Sequence, residues 1–285
     1  MKLAIRLLAL VLFCVVFGCQ KEDPKSLGGY NPKFVVEGWI EENDYPNVIL
    51  SHNLPFFTAV DSAQLSEVVI RWAKVTVSDG VNSEVLTVKR DNNYFPPYIY
   101  RGSELKGQSG KIYTLKIEYA GNTLTSTTTI PPRAALDSIW FLSKGDDNKQ
   151  AQLFVKFTDN PNERNFYKLY TKTSTEKRFI PTLLSNQDDK YFNGKELTIQ
   201  ANRGPLNNLT VKNDPYFEKG ETVLVKFSAI PQEGFDFWSN FQDEVMNSSN
   251  PLIGSTGKIK SNIEGPGVGI WCGYGSTIYQ IKANP

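Results

Sequence analysis

Residues 112–130 read IYTLKIEYAGNTLTSTTTI. In an extended chain, side chains alternate between two faces. Tyr113, Leu115, Ile117 and Tyr119 therefore share one side, and Thr114, Lys116 and Glu118 take the other. Gly121-Asn122 supplies a tight turn, and Thr123 to Ile130 comes back with alternating threonines, which suit a pleated surface. The stretch predicts a hairpin with one apolar face. Pro131-Pro132 then closes the unit, because two prolines cannot continue a hydrogen-bonded ladder.

Working outward, the same grammar recurs. Phe34-Val35-Val36-Glu37-Gly38-Trp39-Ile40 is β-branched and aromatic, and Val48 to Ser51 follows. Val75 to Ser78 leads into the turn Asp79-Gly80, and Val85 to Val88 returns. Short strands at steady spacing predict an immunoglobulin-like β-sandwich over residues 34–131. A second β-rich unit is predicted over 132–285, with strands at Leu136 to Phe141, Leu153 to Phe157, Phe166 to Tyr170 and Thr222 to Ser228. Residues 185–221 are polar and rich in Asn, Asp and Gly, and read as long loops. Phe235, Trp238, Phe241 and Val245 recur at helical spacing and predict one helix near 231–247, laid on a sheet; Pro231 and Glu233 suit its first turn. The glycines at 265, 267, 269, 273 and 275 read as a tight-turning segment before a closing strand, Thr277 to Lys282. No helix pattern and no Gly-Lys-Ser/Thr ending follow them, so they are not a nucleotide loop. The predicted class is mainly all-β: two β-sandwich-like domains, the first immunoglobulin-like and the second carrying a single packed helix.

The N-terminus gives an address. Lys2 and Arg6 precede Leu7 to Phe17, a run without a polar side chain. This is the layout of a secretory signal peptide over residues 1–18. The run is shorter than the roughly 20 apolar residues that span a bilayer. Val16-Phe17-Gly18-Cys19 resembles the lipobox of bacterial lipoproteins, in which cleavage precedes the cysteine, the thiol takes a diacylglyceryl group and the freed amine is acylated. Stable anchoring needs two hydrophobic signals, and this modification supplies at least that. The lipid on Cys19 is the one prosthetic group expected. Gln20-Lys21-Glu22-Asp23 resembles the surface-export signal of Bacteroidota lipoproteins, which implies a lipid-anchored protein facing the extracellular side of the outer membrane. Residues 19–33 read as a lipidated flexible tether with a typical reach of about 20 Å.

Composition narrows the chemistry. The 31 basic and 30 acidic side chains become 29 and 30 once Lys2 and Arg6 leave with the signal, so there is no electrostatic footprint for nucleic acid. Of three cysteines, Cys14 leaves with the signal and Cys19 is acylated, so Cys272 has no partner for an internal disulfide and reads as a small buried hydrophobe. His52 is the only histidine, at a strand end, and no cluster completes a zinc site or a triad around it. No catalytic and no metal-ligating residues are assigned. The adjacent pairs Asp146-Asp147 and Asp188-Asp189 leave a carboxylate-based hydrolase as a minor reading beside those of solvated turns or a loose calcium site. In Tyr94-Phe95-Pro96-Pro97-Tyr98-Ile99-Tyr100, prolines hold the backbone extended. Tyr94, Phe95, Tyr98 and Tyr100 are candidate ligand-stacking residues, for a glycan or a peptide, against the plainer reading that half of them fill the core.

Taken in order, several motifs add to a resemblance: the signal with Cys19, Phe34 to Ile40, Tyr113 to Ile117, Pro131-Pro132 with Leu136-Asp137-Ser138-Ile139, Asp189 to Gly194, Phe237 to Gln242, and the glycine-rich stretch from Asn262 to Gly275. Across nearly the whole mature chain the sequence resembles the Bacteroidota outer-membrane lipoprotein family catalogued as domain of unknown function 4249. The resemblance implies a lipoprotein often encoded beside TonB-dependent transporters, and transfers no catalytic residue. The expected role is a non-catalytic accessory or binding component at such a barrel; the alternative is an independent glycan- or peptide-binding module.

Overall fold

A computed structural model describes residues 32–54, 68–94, 96–145, 149–204, 215–248 and 259–284. Cys19, Gln20, Lys21, Glu22, Asp23, Phe95 and the Asp146-Asp147 pair lie outside the described residues.

The quoted hairpin forms as expected. β7 (Ile112–Tyr119) pairs with β8 (Asn122–Thr129), with Tyr113, Leu115, Ile117, Leu124 and Ile130 buried on one face. With β3 (Lys74–Ser78) and β4 (Ser83–Val85) they make a four-stranded sheet in the order β4-β3-β7-β8. The strand expected at Val85 to Val88 divides at Leu86. That residue is buried and donates its N–H to the Val75 carbonyl at 2.8 Å. The chain then crosses to the facing sheet as β5 (Thr87–Arg90), beside β6 (Tyr98–Arg101). Such exchange between facing sheets is how an immunoglobulin-like sandwich closes its core.

The facing sheet extends beyond the first unit. It has eight strands in the order β12-β11-β15-β16-β1-β2-β6-β5. β1 (Phe34–Glu41) and β2 (Asn47–His52) belong to the first unit; β11 (Phe166–Thr173), β12 (Ile180–Asp188) and β15 (Thr222–Ile230) belong to the second. β16 (Gly267–Lys282) joins them. Its first half runs parallel to β1, from Gly267 opposite Phe34 to Tyr274 opposite Glu41. Its second half runs antiparallel to β15, from Gly275 opposite Ala229 to Lys282 opposite Thr222.

This corrects the reading of the glycines as a tight-turning segment. Gly267, Gly269, Gly273 and Gly275 sit inside a 16-residue strand, because its interleaved Val268, Ile270 and Trp271 are strand formers, while Gly265, with φ +98°, lies in the bend just before it. The glycines serve close approach instead: a Cβ on Gly269 would overlap the Val36 carbonyl, and one on Gly273 the Thr129 carbonyl.

The second sandwich is completed by β9 (Ser138–Lys144), β10 (Gln150–Thr158), β13 (Glu196–Ala201) and β14 (Phe217–Glu218). The last two, and the end of β12 from Ser185 to Asp188, lie where long loops were expected. Leu197 and Ile199 alternate inward when β13 pairs with β10, and the polar residues between them form the wet face. Phe157, Phe217 and Phe227 fill this core, while Trp271 fills the first and donates its indole N–H to the Tyr113 carbonyl at 2.9 Å.

The one helix among the described residues, α1 (Gln232–Ser248), lies against β16, β12 and β11 on the outer face of the large sheet. Phe237 is buried and Phe235 and Trp238 partly so, but Phe241 and Val245 of the expected stripe are exposed. Among the described residues, the buried and partly buried apolar side chains of the helix, Phe235, Phe237 and Trp238, lie in its first half. No helix among the described residues is long and apolar enough to cross a membrane.

Candidate functional site

Alternation on β1 sends Phe34, Val36 and Ile40 into the first core and Val35, Glu37, Trp39 and Glu41 to the outer face, where the two units meet. Register then fixes the neighbours. Glu37 lies between Ile49 of β2 and Ile270 of β16, Trp39 between Asn47 and Cys272, and Glu41 beside Tyr274. Ser228 faces Ser276 on one side and Lys168 on the other, and Lys226 is opposite Tyr170.

Two lysines are held within this face. Lys226 places Nζ 2.7 Å from Oε1 of Glu41, and 4.7, 5.2 and 5.8 Å from the ring centroids of Tyr170, Phe179 and Tyr274. Lys168 places Nζ 4.6 Å from the Trp238 ring and donates to Asn186 Oδ1 at 2.9 Å and Ser185 Oγ at 3.1 Å. The rings offer their negative faces to the ammonium groups. Burial nevertheless pulls the Lys168 pKa down to about 7, with Lys226 adding repulsion and Cys272 and Glu37 opposing the shift. Trp238 Nε1 donates to the Tyr274 hydroxyl at 2.9 Å, fixing the helix to β16.

Glu37 differs from its surroundings. Ile49 and Ile270, its partners across both strands, are buried, whereas Glu37 itself reaches solvent. It makes no hydrogen bond or ion pair with a described residue. Surrounding protein desolvates the carboxyl and raises its pKa, an effect moderated by the charges of Arg178 and Lys168. Beside it, the Trp39 and Tyr94 rings lie 5.6 Å apart at 35°, and the Arg178 guanidinium lies 5.9 Å from the Tyr94 ring centroid. Asn47, diagonal to Glu37, is buried; its amide N–H donates to the Tyr45 carbonyl at 2.7 Å and its Oδ1 has no partner.

The structure divides the tyrosine candidates. Tyr94 packs its ring against Trp39. Tyr100 is core: its hydroxyl donates to the Ile70 carbonyl at 2.9 Å and accepts from the Ala73 N–H at 3.0 Å. Tyr98 is half-buried and carries Arg71 over its ring at 5.1 Å, away from Glu37's face. Phe95 is outside the described residues. Asp188 pairs with Arg164 at 2.9 Å and caps a short 3-10 turn, while Asp189 accepts from the Asn165 N–H at 2.6 Å; both hold the local chain. His52 ends β2 with its ring 5.0 Å from Phe34. Cys272 is buried under α1, and burial pushes its thiol up to about 12.

Glu37, Glu41, Lys168, Lys226 and Arg178 were not singled out from sequence. The available signal was a charge inside an otherwise core-forming strand, as in Val36-Glu37-Gly38 and Tyr167-Lys168-Leu169. Elsewhere, two open grooves of about 460 and 640 Å³ flank the start of α1; in the first Arg164 pairs with Asp188, and in the second Thr125 donates to Glu264.

A family model described as "Domain of unknown function (DUF4249)" matches residues 22–279. No curated protein matches the sequence. Among solved structures, a cytokine receptor complex aligns over 88% of this chain and 97% of its own, at 8% identity and a TM-score of 0.25. A two-domain fibronectin type-III segment from chicken tenascin aligns over 70% and 91%, at 12% identity and a TM-score of 0.21. Scores that low carry no argument about this chain.

Proposed function

Because the chain belongs to the DUF4249 family, whose description assigns no activity, we propose a function from its own residues: a lipid-anchored, non-catalytic binding or accessory protein on the outer face of an outer membrane, working beside a TonB-dependent or other barrel. The anchor is Cys19, and Gln20, Lys21, Glu22 and Asp23 form the export signal. The observation that supports a binding role is the cluster at the junction of the two units, where solvent-reaching Glu37 shares a strand face with Trp39, whose ring lies 5.6 Å from that of Tyr94. A tether of residues 19–33 would keep this cluster close above the membrane. Anchoring beside a barrel raises the effective concentration of a captured ligand to the millimolar range.

A second reading, an independent glycan- or peptide-binding module, is favoured by the same Trp39 and Tyr94 rings, since aromatic faces stack on flat ligands without needing a barrel. Affinity purification of the intact lipoprotein from gently solubilised membranes separates the two. Recovery of an outer-membrane barrel in stoichiometric amount supports the accessory role. Recovery of the lipoprotein alone, with the anchor intact, favours the independent module. Protease shaving of intact cells tests the outward face: a protein that stays whole until the cells are lysed contradicts it.

A further inference from the structure

The register of the strands gives the first unit a pole made of strand ends. β1 starts there at Phe34, opposite His52 at the end of β2. The Phe34 ring lies 6.2 Å from that of Tyr119, which ends β7, and Lys74 at the start of β3 faces Glu118. β5 ends at Arg90 opposite Tyr98, where β6 starts; β6 runs antiparallel to β2, so these ends belong to the same pole. β16 starts here too, with Gly267 opposite Phe34, and runs away from the pole into the second unit. At about 3.3 Å per residue its far end is about 50 Å off, so the second unit is the distal one. The N-terminal chain leaves from this pole, where the Lys33 N–H donates to Asn53 Oδ1 at 2.7 Å.

The pole displays what a lipid surface attracts. Trp72 is 82% exposed, whereas Trp39, Trp140 and Trp238 are half-buried and Trp271 is core. Its loop is held on both sides: the Ile70 N–H donates to the Leu50 carbonyl at 3.1 Å, and the Ala73 N–H to the Tyr100 hydroxyl at 3.0 Å. The indole is therefore presented outward from a fixed backbone. Leu54, beyond the end of β2, is also exposed. Tryptophan, apolar in body with one polar N–H, favours the headgroup layer of a bilayer. Charge points the same way. Lys33, Arg71, Lys74 and Arg90 outnumber Glu118 and Asp91 at these strand ends, and Glu118 is already paired with Lys74 at 3.7 Å. Arg71, 5.1 Å from the Tyr98 ring centroid, and Arg90 are exposed and make no ion pair with a described residue.

We propose that this pole rests on an anionic lipid surface, with Trp72 in the headgroup layer and Arg71 and Arg90 on lipid phosphates, so that the second unit stands outward. This inference rests on the anchor at Cys19 given above and adds the orientation of the folded body. A tether of residues 19–33, with a reach of about 20 Å, starts at the same pole and brings it to the bilayer first. Tethering supplies an effective concentration in the millimolar range, so one indole and a few cations are enough to hold the pole down.

The test is tryptophan fluorescence of the intact mature lipoprotein, reconstituted into vesicles of phosphatidylcholine and phosphatidylglycerol whose acyl chains carry bromine near the headgroups. Bromine quenches a tryptophan that touches this layer. Emission is expected to fall relative to unbrominated vesicles. Trp72→Phe, at an exposed position, should fold normally and abolish that fall. Replacing Arg71 and Arg90 by Gln should lower the ratio of docked to undocked protein about fivefold for each charge removed. Salt at about 1 M should weaken docking likewise, by screening. Flotation with the vesicles reports the anchor separately. Protein that floats yet shows no Trp72-dependent quenching, or quenching indifferent to the arginines and to salt, overturns the proposal and leaves the anchor standing, with a protein partner as the other occupant of the pole. Protein that does not float overturns the anchor and this inference together.

Discussion

Nζ of Lys226 lies 2.7 Å from Oε1 of Glu41, linking residues 185 positions apart in sequence. Glu41 ends the first strand of the first unit, and Lys226 lies within β15 of the second. The pair spans the junction, and both groups are largely withdrawn from water. Two withdrawn charges stabilise each other only while both are present. Glu41→Gln leaves an ammonium surrounded by rings, and is expected to cost on the order of 3 kcal/mol. Lys226→Met with Glu41→Gln should recover most of that loss. Chemical denaturation of the single and double variants checks this; additive losses would contradict the coupling.

The shared strand sets the cooperativity of the whole molecule. β16 pairs with β1 through Tyr274 and with β15 from Gly275 onward, with no break between. Neither sandwich can lose this strand without exposing the core of the other. Calorimetry should show one melting transition for both units, and two resolved transitions would contradict it. Gly273→Ala, which drives a methyl group into the Thr129 carbonyl, should lower that single transition, at about 1–3 kcal/mol for overpacking.

Lys168 makes stability depend on pH. Its pKa falls to about 7 in the folded protein from an ordinary value of 10.5. Between these values the unfolded chain holds the proton more often than the folded one, so this lysine makes stability rise with pH across that window. Below it both states are charged and the full cost of burying the ammonium applies. Subtracting the pH profile of Lys168→Met from that of the wild type should leave a rising difference from pH 7 toward 10.5. A flat difference would show that the ammonium is not penalised by burial.

Cys272 is expected to be chemically silent. Its thiol is buried beneath α1 and held up to about 12. Only the thiolate is nucleophilic, so the native mature protein should resist iodoacetamide near neutral pH and take up one equivalent once denatured. Rapid labelling of Cys272 in the native state would contradict its burial.

Local patterns made much of this fold readable. The alternation from Tyr113 to Ile117 predicted the buried face of β7, and the aromatic spacing around Trp238 placed the helix. What misled was glycine, which signals turns by its conformational freedom but here serves close approach along β16. That role depends on Val36 and Thr129, far away in sequence, so no local reading contains it. The site was hidden for a related reason. Glu37 and Lys168 appear as isolated charges in separate strands, and only the shared eight-stranded sheet brings them to one face. Tyr94 and Tyr100 were legible alike as stacking or core aromatics; the structure separates them, with Tyr94 half-buried in a turn beside Trp39 and Tyr100 facing the first core from a strand.

The account depends most on how the chain is held at a membrane. Intact-mass and peptide mass spectrometry of the protein purified from its native envelope measures this directly. The account predicts a mature N-terminus at Cys19 carrying a diacylglyceryl thioether and an acylated amine. A free thiol at Cys19, or a mature chain that starts at another residue, would contradict it.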